Sequence, residues 1–145
     1  MVAHNNLRKL HGAQSVAWSE ELGDEAQNWC EELALKDVLA HDNKTMDTKN
    51  QGENLAAMAV PDPKSEGASP ELCTLAVQKW YMEETNYNYQ TGLPKVPGMP
   101  IRHFAQVQLC IHGILTHYIH TLFLISTAIG WKSGSPRTDL DLLVY

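Results

Sequence analysis

Clustered basic residues are missing from this sequence: Lys and Arg number 11 against 17 Asp and Glu in 145 residues, a formal net charge of -6. Nucleic-acid faces and polybasic membrane patches both need concentrated Lys and Arg. Nucleic acid is therefore not an expected partner, and any attraction to anionic lipid has to come from a local patch. Cysteine is scarce as well. Cys30, Cys73 and Cys110 stand far apart with no CxxC spacing, which excludes a zinc ribbon and leaves at most one disulfide plus an odd thiol. That is too few for a disulfide-stapled secreted domain. Neither Gly-x-Ser-x-Gly nor His-Glu-x-x-His occurs, and no cysteine is paired by motif with a histidine, so the sequence signals of a serine hydrolase and a zinc peptidase are absent. The opening Met1-Val2-Ala3-His4-Asn5-Asn6 is polar from its fourth residue. It offers no charged stretch followed by an apolar one, and Val2 does not fit the myristoylation pattern.

What is present suffices for one domain over residues 1–145 with a hydrophobic core. Ala3, Leu7 and Leu10 predict a short helix over 4–10 that stops at Gly12. Ser19 is an N-cap, with Glu20 and Glu21 where the helix dipole favours acids, and Leu22, Ala26, Trp29 and Leu33 follow at helical spacing. Cys30 beside Trp29 is a small buried hydrophobe. Residues 36–51 lose the pattern and are expected to form an irregular loop; it contains the glycosylation triplet Asn43-Lys44-Thr45, meaningful only in a secreted chain. Ser69-Pro70-Glu71 starts a helix whose apolar stripe is Cys73, Ala76, Val77 and Trp80. Gly92, Pro94, Pro97, Gly98 and Pro100 make 86–101 a long loop. His103 to Val107 is expected to begin an extended segment, and 126–145 to form a hairpin. Helices first and strands later is the α+β pattern.

One stretch carries chemistry. Gly52-Glu53 places a carboxylate at the mouth of the apolar run Leu55-Ala56-Ala57-Met58-Ala59-Val60. An acid there is either a helix-start device, worth about 0.3–1 kcal/mol, or part of a site. Glu83 and Glu84 near the end of the third helix oppose its dipole, which points to a task for one of them.

Taken together, Ala3-His4-Asn5, His11-Gly12-Ala13, Trp18, Gln51 to Ala56, Trp80 to Tyr89 and His103 to Val107 resemble the CAP superfamily of cysteine-rich secretory, antigen-five and group-one pathogenesis-related proteins. Trp80-Tyr81-Met82-Glu83 leading into Asn86-Tyr87-Asn88-Tyr89, without the usual cysteines, is most similar to the Golgi-associated plant pathogenesis-related type. The resemblance implies an α-β-α sandwich with a central cleft. It places the family's cleft tetrad on His41, Glu53, Glu83 and His103, supported by Gly52, Asn54, Tyr81 and Gln106. Two imidazoles and two carboxylates could hold a weakly bound divalent ion such as zinc. They could equally form a hydrogen-bonded cluster that titrates as a unit. The resemblance further implies a non-catalytic protein that needs no cofactor and binds lipid, sterol included, a membrane surface or a protein partner, with a homodimer as one form. The competing expectation is a metal-dependent hydrolase, a peptidase or esterase using the tetrad. Location is expected to be extracellular, as for most of the family, or the cytosolic face of the Golgi membrane.

The chain departs from that pattern at 108–125, an apolar insertion with three histidines and no Asp, Glu, Lys or Arg. A retained intron is the leading reading of it, ahead of a transmembrane helix, which the histidines make costly, and of a His112, His117 and His120 metal site. If translated, it is expected to extend the strand after His103 into an exposed apolar loop or hairpin that lowers solubility. The family pattern resumes with Ser126 to Gly134.

Overall fold

The computed structural model describes residues 1–58 and 70–108 and the backbone of 121–126. Helix α1 spans Val2–Leu10 and ends with Arg8 and Lys9 in its last turn, where cations suit the dipole. Helix α2, Glu20–Lys36, starts as its sequence dictates: the Ser19 hydroxyl accepts from the Leu22 amide, and Asp37 closes the helix in the left-handed conformation at φ 52°. Its buried stripe is Ala26, Cys30 and Leu33, with Leu22 and Trp29 partly buried beside them. Helix α3, Asn43–Lys49, occupies what periodicity alone reads as loop. It exists because the Asp42 side chain accepts from the Thr45 amide at 3.0 Å, one local cap outweighing a weak pattern.

The Gly52-Glu53 stretch starts a strand, not a helix: β1 runs Gly52–Ala57 with its four central residues buried. Helix α4, Pro70–Met82, buries Ala76, Val77 and Trp80, with Cys73 only half-buried. It tightens into a 3-10 turn at Glu83–Asn86. Two short strands, β2 at Tyr87–Asn88 and β3 at Leu93–Pro94, pair antiparallel inside the long loop. The segment expected to be extended after His103 is instead helix α5, Arg102–Gln108. Strand β4, Thr121–Ser126, lies parallel to β1 in the register Glu53↔Leu122 and Leu55↔Leu124. The end of the charge-free segment is thus a strand paired with β1 rather than the continuation of a strand from His103. Residues 109–120, and the hairpin expected beyond Ser126, lie outside the described residues.

Period-2 alternation along β1 sends its side chains to two helical layers. Leu55 packs with Ala26, Cys30 and Leu33 of α2. Ala56 packs with Ala76, Val77 and Trp80 of α4 and Val107 of α5. Helix α2 also lies against β4, and α1 against α4 and α5. Helices and strands therefore interleave along the chain instead of segregating into halves, within a mixed α and β architecture. Among the described residues no helix is long and apolar enough to cross a membrane.

Arg8 fixes α1 to the C-terminal end of α5. Its side chain is 2% exposed; Nη1 donates to the Val107 carbonyl at 2.6 Å and Nε to the Gln14 carbonyl at 2.7 Å. A buried guanidinium is tolerated because its donors meet carbonyls, those at a helix C-terminus carrying partial negative charge.

Candidate functional site

Residues at the start of β1 and at the α4–α5 junction form two carboxylate–imidazole pairs. In the first, Glu53 Oε1 accepts from His41 Nδ1 at 2.6 Å and from the Asp42 amide at 3.2 Å. The Glu53 side chain is 1% exposed and that of His41 35%. His41 is brought there by the segment between α2 and α3, which is tied down where Trp29 Nε1 donates to the Ala40 carbonyl at 2.9 Å. Glu53 Oε2 is buried with no hydrogen-bond partner among the described residues. Its charge also reaches Cys30, whose thiol burial and then Glu53 push up to about 12. Cys30 is therefore an inert packing residue, as its place beside Trp29 suggests.

In the second pair, Glu83 Oε1 accepts from His103 Nδ1 at 2.7 Å, while Oε2 accepts the amides of His103 at 2.9 Å and Phe104 at 3.3 Å. The carboxylate thus caps the first turn of α5, using backbone donors that a helix start leaves unpaired. This is why 103–107 is helical although its sequence carries no local start signal. Of the two adjacent acids, Glu83 is the buried one. Glu84 instead accepts from the Tyr89 hydroxyl at 2.7 Å. His103 stacks on Trp80, ring centroids 6.4 Å apart and planes 20° from parallel. Trp80 Nε1 in turn donates to the Leu55 carbonyl at 3.1 Å.

The supporting residues also find places. Asn54 Nδ2 donates to the His103 carbonyl at 3.2 Å, so β1 helps position the second pair. Gly52 lies under the side chain of Gln106, close enough that a Cβ would collide with its amide group. Tyr81 shares a hydrogen bond with His11 Nε2 at 2.8 Å and packs edge-on against Phe104. Sequence reasoning missed Asp42, whose amide shares the Glu53 oxygen, and His11, which contacts the rings of Tyr81, Tyr89 and Phe104. An Asp before a polar stretch was a readable cap signal for the first. Nothing local announced the second.

The structure brings His41 to Glu53 and Glu83 to His103. Among the described residues it gathers no three His, Cys, Asp or Glu side chains able to hold a metal ion.

A family model for CAP, described as the cysteine-rich secretory protein family, matches residues 1–117. The chain belongs to the CAP family. Golgi-associated plant pathogenesis-related protein 1 of Homo sapiens is 34% identical over 89 residues, 61% of this chain and 51% of the relative. Cysteine-rich secretory protein 2 of Homo sapiens is 31% identical over 109 residues, 72% of this chain and 40% of the relative. Pathogenesis-related leaf protein 6 of Solanum lycopersicum is 31% identical over 107 residues, 74% of this chain and 57% of the relative. This CAP chain thus spans roughly a third to three-fifths of the length of the curated relatives it matches. No solved structure matches it. The matched residues take in all four of His41, Glu53, Glu83 and His103, and stop inside the charge-free segment.

Proposed function

We propose that this chain is a non-catalytic CAP domain, folded as an α-β-α sandwich, that binds lipid, sterol included, at a membrane surface and needs no cofactor. One observation carries the reading. Tyr89, Leu93, Val96 and Met99 all stand exposed in the stretch that joins Glu83 to His103, Leu93 at 62%, and Met82 just before it at 68%. Large apolar side chains concentrated at a surface mark binding sites. Exposed Lys95 lies among them and exposed Arg102 just beyond them, two cations against the one Glu84 carboxylate that Tyr89 bonds, a local positive charge that a net charge of -6 does not supply. The carboxylates support the same conclusion. Glu83 uses both oxygens in holding α5, and Glu53 uses Oε1 in holding His41 and the Asp42 amide, which are tasks of construction.

The secretory name of one relative supports release outside the cell through the secretory pathway, and the Golgi-associated name of another supports the alternative, the cytosolic face of the Golgi membrane. Flotation with phosphatidylcholine–phosphatidylserine vesicles, with and without cholesterol, tests the binding reading. The protein is expected to float with the vesicles, and the double variant Leu93→Asp with Val96→Asp to stay behind. A wild-type protein that stays behind, or a variant that floats equally well, overturns it. Calorimetric zinc titration of wild type and Glu53→Ala tests the catalytic alternative. Tight zinc uptake with ester or peptide turnover lost in the variant would replace the proposal with a metal-dependent hydrolase.

A further inference from the structure

Asn43-Lys44-Thr45 is the only Asn-x-Ser/Thr triplet in the 145 residues, and neither the pairs nor the apolar surface uses it. Asn43 and Lys44 are both exposed, at the start of α3. The Thr45 amide is held by Asp42, so the folded backbone around the triplet is pinned by the cap and not by the Asn43 side chain. A glycan there demands no burial of sugar and no loss of a core contact. The triplet also has a pointed location. Asn43 is two residues from His41, and Cα atoms two residues apart lie at most about 7.6 Å from one another. His41 is the more exposed member of its pair.

We propose that Asn43 is an N-glycan acceptor, and that the glycan emerges beside the open side of the His41–Glu53 pair. The inference rests on the secretory reading above. The chemistry is transfer from a lipid-diphosphate-linked oligosaccharide: Asn43 Nδ2 bonds to the anomeric carbon, the carbon–oxygen bond to the diphosphate breaks, and the amide proton leaves with the lipid diphosphate. Threonine two residues on, with lysine rather than proline between, satisfies the acceptor pattern.

The test appends a cleavable secretion leader to the full chain, so that entry into the secretory pathway does not depend on the native route, and compares gel mobility before and after peptide-N-glycosidase. One mobility step, removed by the enzyme, is expected. It should vanish in Asn43→Gln and Thr45→Ala and persist in Thr45→Ser. A translocated wild-type chain with its leader removed but no mobility step overturns the proposal, as does a step that survives in Asn43→Gln. Locating the protein in the cells that make it separates the two readings. If antibody to the native protein finds it only in the cytosol of the cells that make it, while the leader-bearing chain is modified, Asn43 stands as an acceptor and the secretory placement fails.

Discussion

At the scale of single residues, hydrogen at the Gly52 α-carbon and a carboxylate at position 83 set the local geometry. A Cβ at Gly52 would meet the end of the Gln106 side chain; the obstacle is flexible, so the cost is that of overpacking, about 1–3 kcal/mol. Gly52→Ala is expected to lower the urea midpoint accordingly, with Gln106→Ala restoring most of it in a double-mutant cycle. Additive effects would show that the two positions do not meet. Glu83→Gln removes the charge from three hydrogen bonds and sets an NH2 donor among donors, an expected loss of about 1–3 kcal/mol. Faster amide exchange at His103 and Phe104 than elsewhere would locate that loss at the start of α5.

Among elements, what separates those readable in the sequence from those hidden is the distance to the cap. Helix α2 carries Ser19, Glu20 and Glu21 within its own first turn, so its start is legible residue by residue. Helix α5 takes its cap from Glu83, about twenty residues earlier, and its sequence alone suggests extension. Helix α3 is intermediate: Asp42 is adjacent but its helix is too short to show a period. Asp42→Ala should therefore cost about 1 kcal/mol, visible as lost protection of the Thr45 amide. Because the Asp42 amide itself holds Glu53, looser ordering of the His41 ring is expected in the same variant by NMR. An unchanged His41 signal would show that α3 and the pair are independent.

Over the whole molecule, pH dependence of stability is expected from a residue outside the candidate site. His4 is 1% exposed. Burial, followed by the nearby positive charges of the Met1 amino group and Arg8, lowers its pKa to about 4 from 6.5. The unfolded chain then binds the proton that the folded one refuses, so stability falls as pH drops from about 6.5 toward 4. Between pH 7 and 5 the expected loss is about 2 kcal/mol, measured as the excess change in unfolding free energy over His4→Gln. Equal pH dependence in the two proteins would remove His4 from the account.

By itself the sequence determined the helices with local caps and periodic stripes, because these depend on residue type and short spacing, and the motifs that carry the family, whose resemblance in turn pointed to His41, Glu53, Glu83 and His103. Only the tertiary structure decided that Glu53 begins a strand, that residues 102–108 are helical, that Glu83 rather than Glu84 is the buried acid, and that His41 pairs with Glu53 and His103 with Glu83. Each of those outcomes rests on a contact made across the chain: β1 against β4, the Glu83 carboxylate against the amides of α5, and Asn54 against the His103 carbonyl. Hydrogen-bond partners so far apart leave no local pattern, since pairing satisfies backbone groups wherever the fold brings them together.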